Sequence, residues 1–294
     1  MNIKKLYGIL LKVITKIAGI DCAKKFDTRL RFHRTLNLKN PKTLADKVSY
    51  IELHEKNMLT SVCTDKWAVR EYVTNKGYED TLVPLAGGVW NSVDEVDFES
   101  LPESFVLKAT HGCKMNYFVP NKNEIDMDKC RAEMVRWMKT TYGTYSMEPH
   151  YAEIPHRIYA EKYLGDMSNL TDYKFHCLNG EPQFILAFTE RCADGDKAMK
   201  VKIDCFDMEW KHIKAVCGAG LEIPGEGKVA KPKHFEEMKE MARKLSADFK
   251  FVRVDLYEMN DQIYFGEMTF SPTTGVFAFL KEDFLAEMGK KLEI

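Results

Sequence analysis

At 294 residues the chain is too long for a peptide hormone or a disulfide mini-scaffold and has the length of a protein with two or three packed lobes. Hydrophobic residues at 45% and charged residues at 30%, with few Gly and Pro, describe a globular chain with a sizeable core and exclude a disordered or low-complexity one. A net charge of −1 excludes a surface built throughout to neutralise nucleic-acid phosphates.

The charge is uneven. Residues 1–43 hold eleven Lys or Arg against Asp21 and Asp27, a local +9 that leaves −10 on the remainder. At 100° per residue, Lys4, Lys5, Lys12 and Lys16 share one sector of a helix over the first twenty residues, opposite Ile3, Leu6, Ile9, Leu10, Val13, Ile14, Ile17 and Ile20. Lys12 and Lys16 interrupt the apolar run, so it is neither a signal peptide nor a span. Two readings stand: an interfacial helix on the anionic inner face of a membrane, or a helix docked on the protein's own core.

Residues 43–75 read as helical, with Gly77 as the C-cap that ends the run. Short apolar runs at 82–85, 104–108 and 116–119 read as strands, 126–142 as a helix and 157–164 as a strand. Residues 172–188 form a predicted hairpin turning at Leu178-Asn179-Gly180-Glu181, followed by a helix over 234–247 and a second hairpin over 251–270 turning at Asn260-Asp261. The fold class is α+β. No G-x-G-x-x-G follows a strand, which argues against a dinucleotide-binding domain. The eight cysteines contain no C-x-x-C, which disfavours zinc or redox chemistry and suits free thiols in a reducing cytosol.

Chemistry concentrates on the second hairpin. Arg253 and Asp255 stand two apart on one strand, and Glu267 and Thr269 two apart on the next, so each pair shares a face. A cation, two carboxylates and a hydroxyl on one surface suit Mg²⁺ with a bound phosphate, or form a cross-strand salt bridge. Lys108 closes the strand FVLK before Gly112, a plausible phosphate grip without a P-loop ending. His111 reads either as a loop histidine with a satisfied hydrogen bond or as a base.

In order, DKWAVREYV (65–73), FVLKATHGC (105–113), IYAEKYL (158–164), DYKFHCLNGEP (172–182) and FVRVDLYEMNDQIYFGEMTFSPTTG (251–275) resemble the ATP-grasp superfamily, and within it the TupA-like group linked to bacterial surface polysaccharides. The likeness runs from about Asn40 to the last residue. It implies an ATP-grasp fold, two α/β subdomains clamping a nucleotide, with a helical extension at residues 1–43 and lobes at about 44–156 and 157–294. By the same likeness Lys66 and Lys108 hold nucleotide phosphates, and the 110–116 loop, with His111 and Gly112, is a flap over them. Glu161 receives the adenine amino group beside the backbone of Lys162 to Leu164, and Asp172 binds ribose. Lys174 lies near the γ-phosphate or the acceptor, Arg253 stabilises the transferring phosphoryl, Asp255, Glu267 and Thr269 hold Mg²⁺, and Ser271, Thr273 and Thr274 line the acceptor pocket. Thr269 stands where many relatives carry Asn, and Cys113-Lys114 where a second glycine is common.

The activity implied is an ATP-dependent carboxylate–amine ligase, working through an acyl phosphate and joining an amine to a uronic-acid carboxyl of a capsular or cell-wall polysaccharide, free or lipid-linked. ATP and Mg²⁺ are the implied cofactors, and the cytosol the implied location, with no nucleic acid as partner. A glycosyltransferase and a non-catalytic nucleotide-binding module are the alternatives. The first lacks a D-x-D motif after an apolar strand, since Asp194-Gly195-Asp196 lies in a polar stretch. Retention of both lysines, Arg253 and both carboxylates disfavours the second.

Overall fold

A computed structural model describes residues 3–143, 147–165, 170–189 and 201–294. In chain order its elements are α1 (Ile3–Ala18), α2 (Ile20–Phe32), α3 (Leu44–His54), α4 (Met58–Thr64), α5 (Ala68–Asn75), β1 (Leu85–Trp90), β2 (Phe105–Ala109), β3 (Asn116–Val119), α6 (Met127–Met138), β4 (Ile158–Lys162), β5 (Asp172–Leu178), β6 (Glu181–Thr189), β7 (Val201–Phe206), β8 (His212–Ile213), β9 (Glu222–Pro224), α7 (Phe235–Ser246), β10 (Phe251–Met259), β11 (Gln262–Thr269) and α8 (Glu282–Lys291). The class is α+β. Among the described residues every strand pairing is antiparallel except that of β7 with β9.

The helical run expected over 43–75 is three helices. Local side-chain caps explain both breaks: Asn57 accepts from the Leu59 N–H to start α4, and Asp65 accepts from the Trp67 and Ala68 N–H groups to start α5. Thr43 and Asp46 close a reciprocal capping box on α3. The strand expected at 82–85 begins only at Leu85, and the Pro84 carbonyl instead accepts from the Lys162 N–H at 2.8 Å. Both predicted hairpin turns form, with Asn179-Gly180 and Asn260-Asp261 at positive φ as a tight antiparallel turn needs.

The chain divides into two compact units. One comprises Asn57–Thr144 and Pro149–Met167. Its sheet runs β1-β4-β2-β3. Phe105, Leu107, Ala109, Ile158 and Ala160 bury one face in a core with Cys130, Met134 and Trp137 of α6. By strand alternation Lys108, Tyr159 and Glu161 share the opposite face.

The other unit comprises Met1–Lys56, Tyr145–Glu148 and Ser168–Ile294. Its sheet runs β11-β10-β5-β6-β7-β8, so β10 lies against β5. Phe175 and Cys177 face α7, where Phe175 stacks on Phe235 and the Cys177 thiol contacts the Ala242 carbonyl. The opposite face carries Leu178, Phe184, Leu186 and Phe251 into a core with α3, α8 and Phe277. α1 and α2 add a smaller cluster of Leu11, Ala23 and Met147.

Candidate active site

Within the unit built on β10, three strands bring the predicted hairpin residues and two from β5 onto one face. Asp255 is the cross-strand partner of Glu267 on one side and Lys174 on the other; Arg253 stands between Thr269 and His176 in the next row. Arg253 donates from Nε and Nη2 to the two Asp255 oxygens, each at 2.6 Å, and from Nη2 to Glu267 Oε1 at 3.0 Å and Thr269 Oγ1 at 2.9 Å. Lys174 donates to Asp172 Oδ2 at 2.6 Å and to Asp255 Oδ2, with its ammonium 5.1 Å from the Phe188 ring. The hydroxyl of Thr269 donates to Glu267 at 3.2 Å.

This is not a surface ion pair. Asp255 and Lys174 are buried, whereas the Glu267 side chain is 38% exposed and leaves the row reachable from solvent. Burial pushes the Asp255 carboxyl up against the lowering pull of Arg253 and Lys174. Burial disfavours the Arg253 charge, yet Asp255 and Glu267 hold it above its ordinary value. His176, sealed against Phe184 and close to Arg253, is held well below the usual histidine range and stays neutral. Asp172, Asp255 and Glu267 against Lys174 and Arg253 leave one negative charge in excess. An oxygen-only donor set with that excess fits a hard divalent cation, which Asp255, Glu267 and Thr269 could hold.

The loop after Thr269 is tied down by a buried polar network. Ser271 donates to Glu148 Oε1 at 2.5 Å. Lys24 of α2, wholly buried, donates to Glu52 Oε2 and to the Thr274 carbonyl, both at 2.8 Å. Thr273 and Thr274 adopt left-handed φ of 51° and 55°, a conformation that costs a β-branched residue on the order of 1–3 kcal/mol. Burial, with a contribution from Glu148, pushes Glu52 up to about 7 although Lys24 and Ser271 pull it down.

In the other unit Glu161 accepts from Arg70 Nη1 at 3.0 Å and from Lys108. Arg70 also donates to the Val83 carbonyl. Lys66 binds the 110–116 loop twice, through its N–H to the Thr110 carbonyl at 3.1 Å and its ammonium to the Gly112 carbonyl at 2.7 Å. A Cβ at Gly112 would stand 2.9 Å from the Met115 sulfur, so a glycine there lets the loop close on itself. The His111 ring is buried, stacked 3.6 Å from His156, with Nε2 donating to the Trp137 carbonyl. Burial, with His156 and Lys66 adding to it, holds His111 down to about 4. Lys162 spends its N–H on Pro84, and Leu164 lies just past β4.

Several positions went unassigned from sequence. Arg70 and Asp65 lie inside a quoted motif, and Asp65 ion-pairs with Arg157 at 2.7 Å. Lys24 and Glu52 carried no signal, because a charged residue on an amphipathic helix reads as solvent-facing. His234, Glu258 and Asp261 cluster at the far turn of the β10–β11 hairpin, but they are at most half-buried and Lys233 shares Asp261.

A family model described as TupA-like ATPgrasp matches residues 46–293. No curated protein matches the sequence. Among solved structures, a D-alanine–D-alanine ligase from Bacillus anthracis complexed with ATP is similar at 14% identity and a TM-score of 0.49, covering 99% of this chain and 89% of that one. A D-alanine–D-alanine ligase from Helicobacter pylori is similar at 13% identity and a TM-score of 0.42, covering 86% and 70%. The D-cycloserine synthetase DcsG is similar at 12% identity and a TM-score of 0.44, covering 80% and 72%.

Proposed function

The chain belongs to the TupA-like ATP-grasp family, and from that premise we propose that it is an ATP-dependent ligase joining a carboxylate to an amine. The observation that carries the reading is the three-strand row of Lys174, Asp255, Arg253, Glu267 and Thr269, two cations and two carboxylates on one partly open face. A surface of that kind suits a phosphoryl group passing between oxygens.

In this reading a substrate carboxylate oxygen attacks the γ-phosphorus of ATP, the bond to ADP breaks, and an acyl phosphate forms. The amine nitrogen then attacks the acyl carbon, loses a proton and expels phosphate, leaving an amide. Arg253 and Lys174 offset the charge on the transferring group. Asp255, Glu267 and Thr269 would hold Mg²⁺, whose part is to neutralise phosphate oxygens. Lys66 and Lys108 bind nucleotide phosphates, Glu161 with Lys162 and Leu164 takes the adenine, and Asp172 the ribose. Gly112 places the 110–116 loop, and buried His111 supports it from beneath. Ser271, Thr273 and Thr274 contact the acceptor.

Family likeness supports a uronic-acid carboxyl of a bacterial capsular or cell-wall polysaccharide as the acceptor and an amino acid as the amine. Asp194 and Asp196, the D-x-D of the glycosyltransferase alternative, lie outside the described residues. The test crosses amino acids with uronosides and follows ADP, phosphate and amide mass. Release of ADP and phosphate only with both substrates is expected. Sugar-nucleotide consumption without ATP, or nucleotide binding without turnover in any pair, overturns the reading.

A further inference from the structure

The first helix has two apolar sides, and only one of them packs on its own unit. α1 does pack on its own unit: Leu11 is buried against Ala23 of α2 and Met147, with Tyr7 and Ile14 at the edge of that cluster. Tyr7 donates to the buried Asp27 at 2.7 Å. That contact uses one side. Leu6, Ile9, Leu10 and Val13 are 43–46% exposed, and Ile17 is 81% exposed. At 100° per residue these five fall within one sector of about 100°, turned away from Leu11. Lys12 and Lys16, both exposed, lie along one border of that sector.

α2 extends the arrangement. Ala23, Phe26 and Leu30 follow i, i+3, i+7 spacing, so Phe26 and Leu30 continue the stripe whose first member meets α1, yet both are exposed. Arg29, beside them, is exposed as well. None of these seven side chains belongs to the cluster of Leu11, Ala23 and Met147, and five on one sector of one helix are more than scattered surface leucines. Among the described residues no helix is long and apolar enough to cross a membrane.

We propose that the exposed apolar side of α1, with Phe26 and Leu30 of α2, is a docking surface for an anionic lipid bilayer, lying in its interface while the opposite side of α1 stays on the protein. Charge decides the occupant. The apolar sector is bordered by the exposed Lys12 and Lys16 on a helix with no acidic residue, so a second copy docking through the same sector would set these lysines against their own kind, whereas a negative lipid plane meets them with opposite charge. The lysine stems run alongside the apolar sector and their ammonium groups reach the phosphates.

Flotation of the full chain with phosphatidylglycerol–phosphatidylcholine vesicles, against pure phosphatidylcholine vesicles, tests the surface. Binding is expected to the anionic vesicles and to be much weaker to the neutral ones. Lys12→Gln with Lys16→Gln should lower the affinity about 30-fold, from roughly 1 kcal/mol per basic residue. Val13→Asp with Ile17→Asp should abolish binding, with the circular dichroism spectrum unchanged because neither side chain packs inside. Added salt should weaken binding only in part, since apolar burial is not screened. Equal flotation with both vesicle types, no flotation with either, or a dimer that the Val13→Asp, Ile17→Asp variant dissociates would each overturn the proposal.

Discussion

Lys174 and Asp255 are direct cross-strand partners on β5 and β10, and each is buried while the Glu267 beside them is open to solvent. The row therefore has a fixed floor and one accessible carboxylate. Glu267→Gln keeps the shape and removes a charge at the accessible position. ATP turnover should fall about a hundredfold or more with the melting temperature unchanged. Steady-state ADP release at saturating Mg²⁺ checks this, and wild-type release refutes the ligand role proposed for Glu267.

Lys108 spends its ammonium on Glu161, which keeps a second partner in Arg70. Lys108→Met therefore leaves Glu161 paired, and its effect should be confined to phosphates. Calorimetric titration should show ATP affinity falling about tenfold or more while AMP changes by less than about threefold. Equal losses would assign Lys108 to the base-binding side.

A pH dependence of stability follows from His111. Its folded value of about 4 lies below the ordinary 6.5, so between those limits the unfolded chain takes up a proton that the fold refuses. Stability is full above pH 6.5 and is lost as pH falls toward 4, by up to about 3 kcal/mol. His176 acts in the same direction. Urea unfolding of wild type and His111→Gln across pH 4–7 should give a shallower slope for the variant; identical slopes would mean His111 protonates freely.

Removing Lys24 strands a buried carboxylate. Lys24→Met should cost about 3–5 kcal/mol at pH 8, and Lys24→Met with Glu52→Met should recover most of it. Glu52 has a folded value of about 7, raised above its ordinary 4.5, so its contribution is full below 4.5 and lost as pH rises through 7. The single variant should thus lose more at pH 8 than at pH 5. Denaturant titrations at both values check the sign.

Strand alternation alone brought Arg253 with Asp255, and Glu267 with Thr269, to one face, because a two-residue period needs no tertiary information. Likewise Asn179-Gly180 and Asn260-Asp261 announced their turns through residues that tolerate positive φ. The adjacency of Lys174 to Asp255 was invisible to local reasoning, since β5 and β10 are paired out of sequence order. Lys24 carried no signal for the same reason: its partners, Glu52 and the Thr274 carbonyl, lie on other elements. β7, β8, β9 and α8 gave no local signal strong enough to be placed, and the helical run at 43–75 concealed two breaks made by single capping side chains.

The pairing of β10 with β5 also sets an order of assembly. Lys174 meets Asp255 81 residues along the chain, and the close seating of Gly289 of α8 against Lys42 and Thr43 joins still more distant stretches. The sheet from β1 to β4 has all its strands by residue 162 and can close as it leaves the ribosome, whereas the row around Asp255 waits for the second hairpin. A ribosome-bound or prematurely stopped chain thus carries Lys66, Lys108 and Glu161 without the acids proposed to hold Mg²⁺, and under the proposed function such an unfinished copy would not spend ATP.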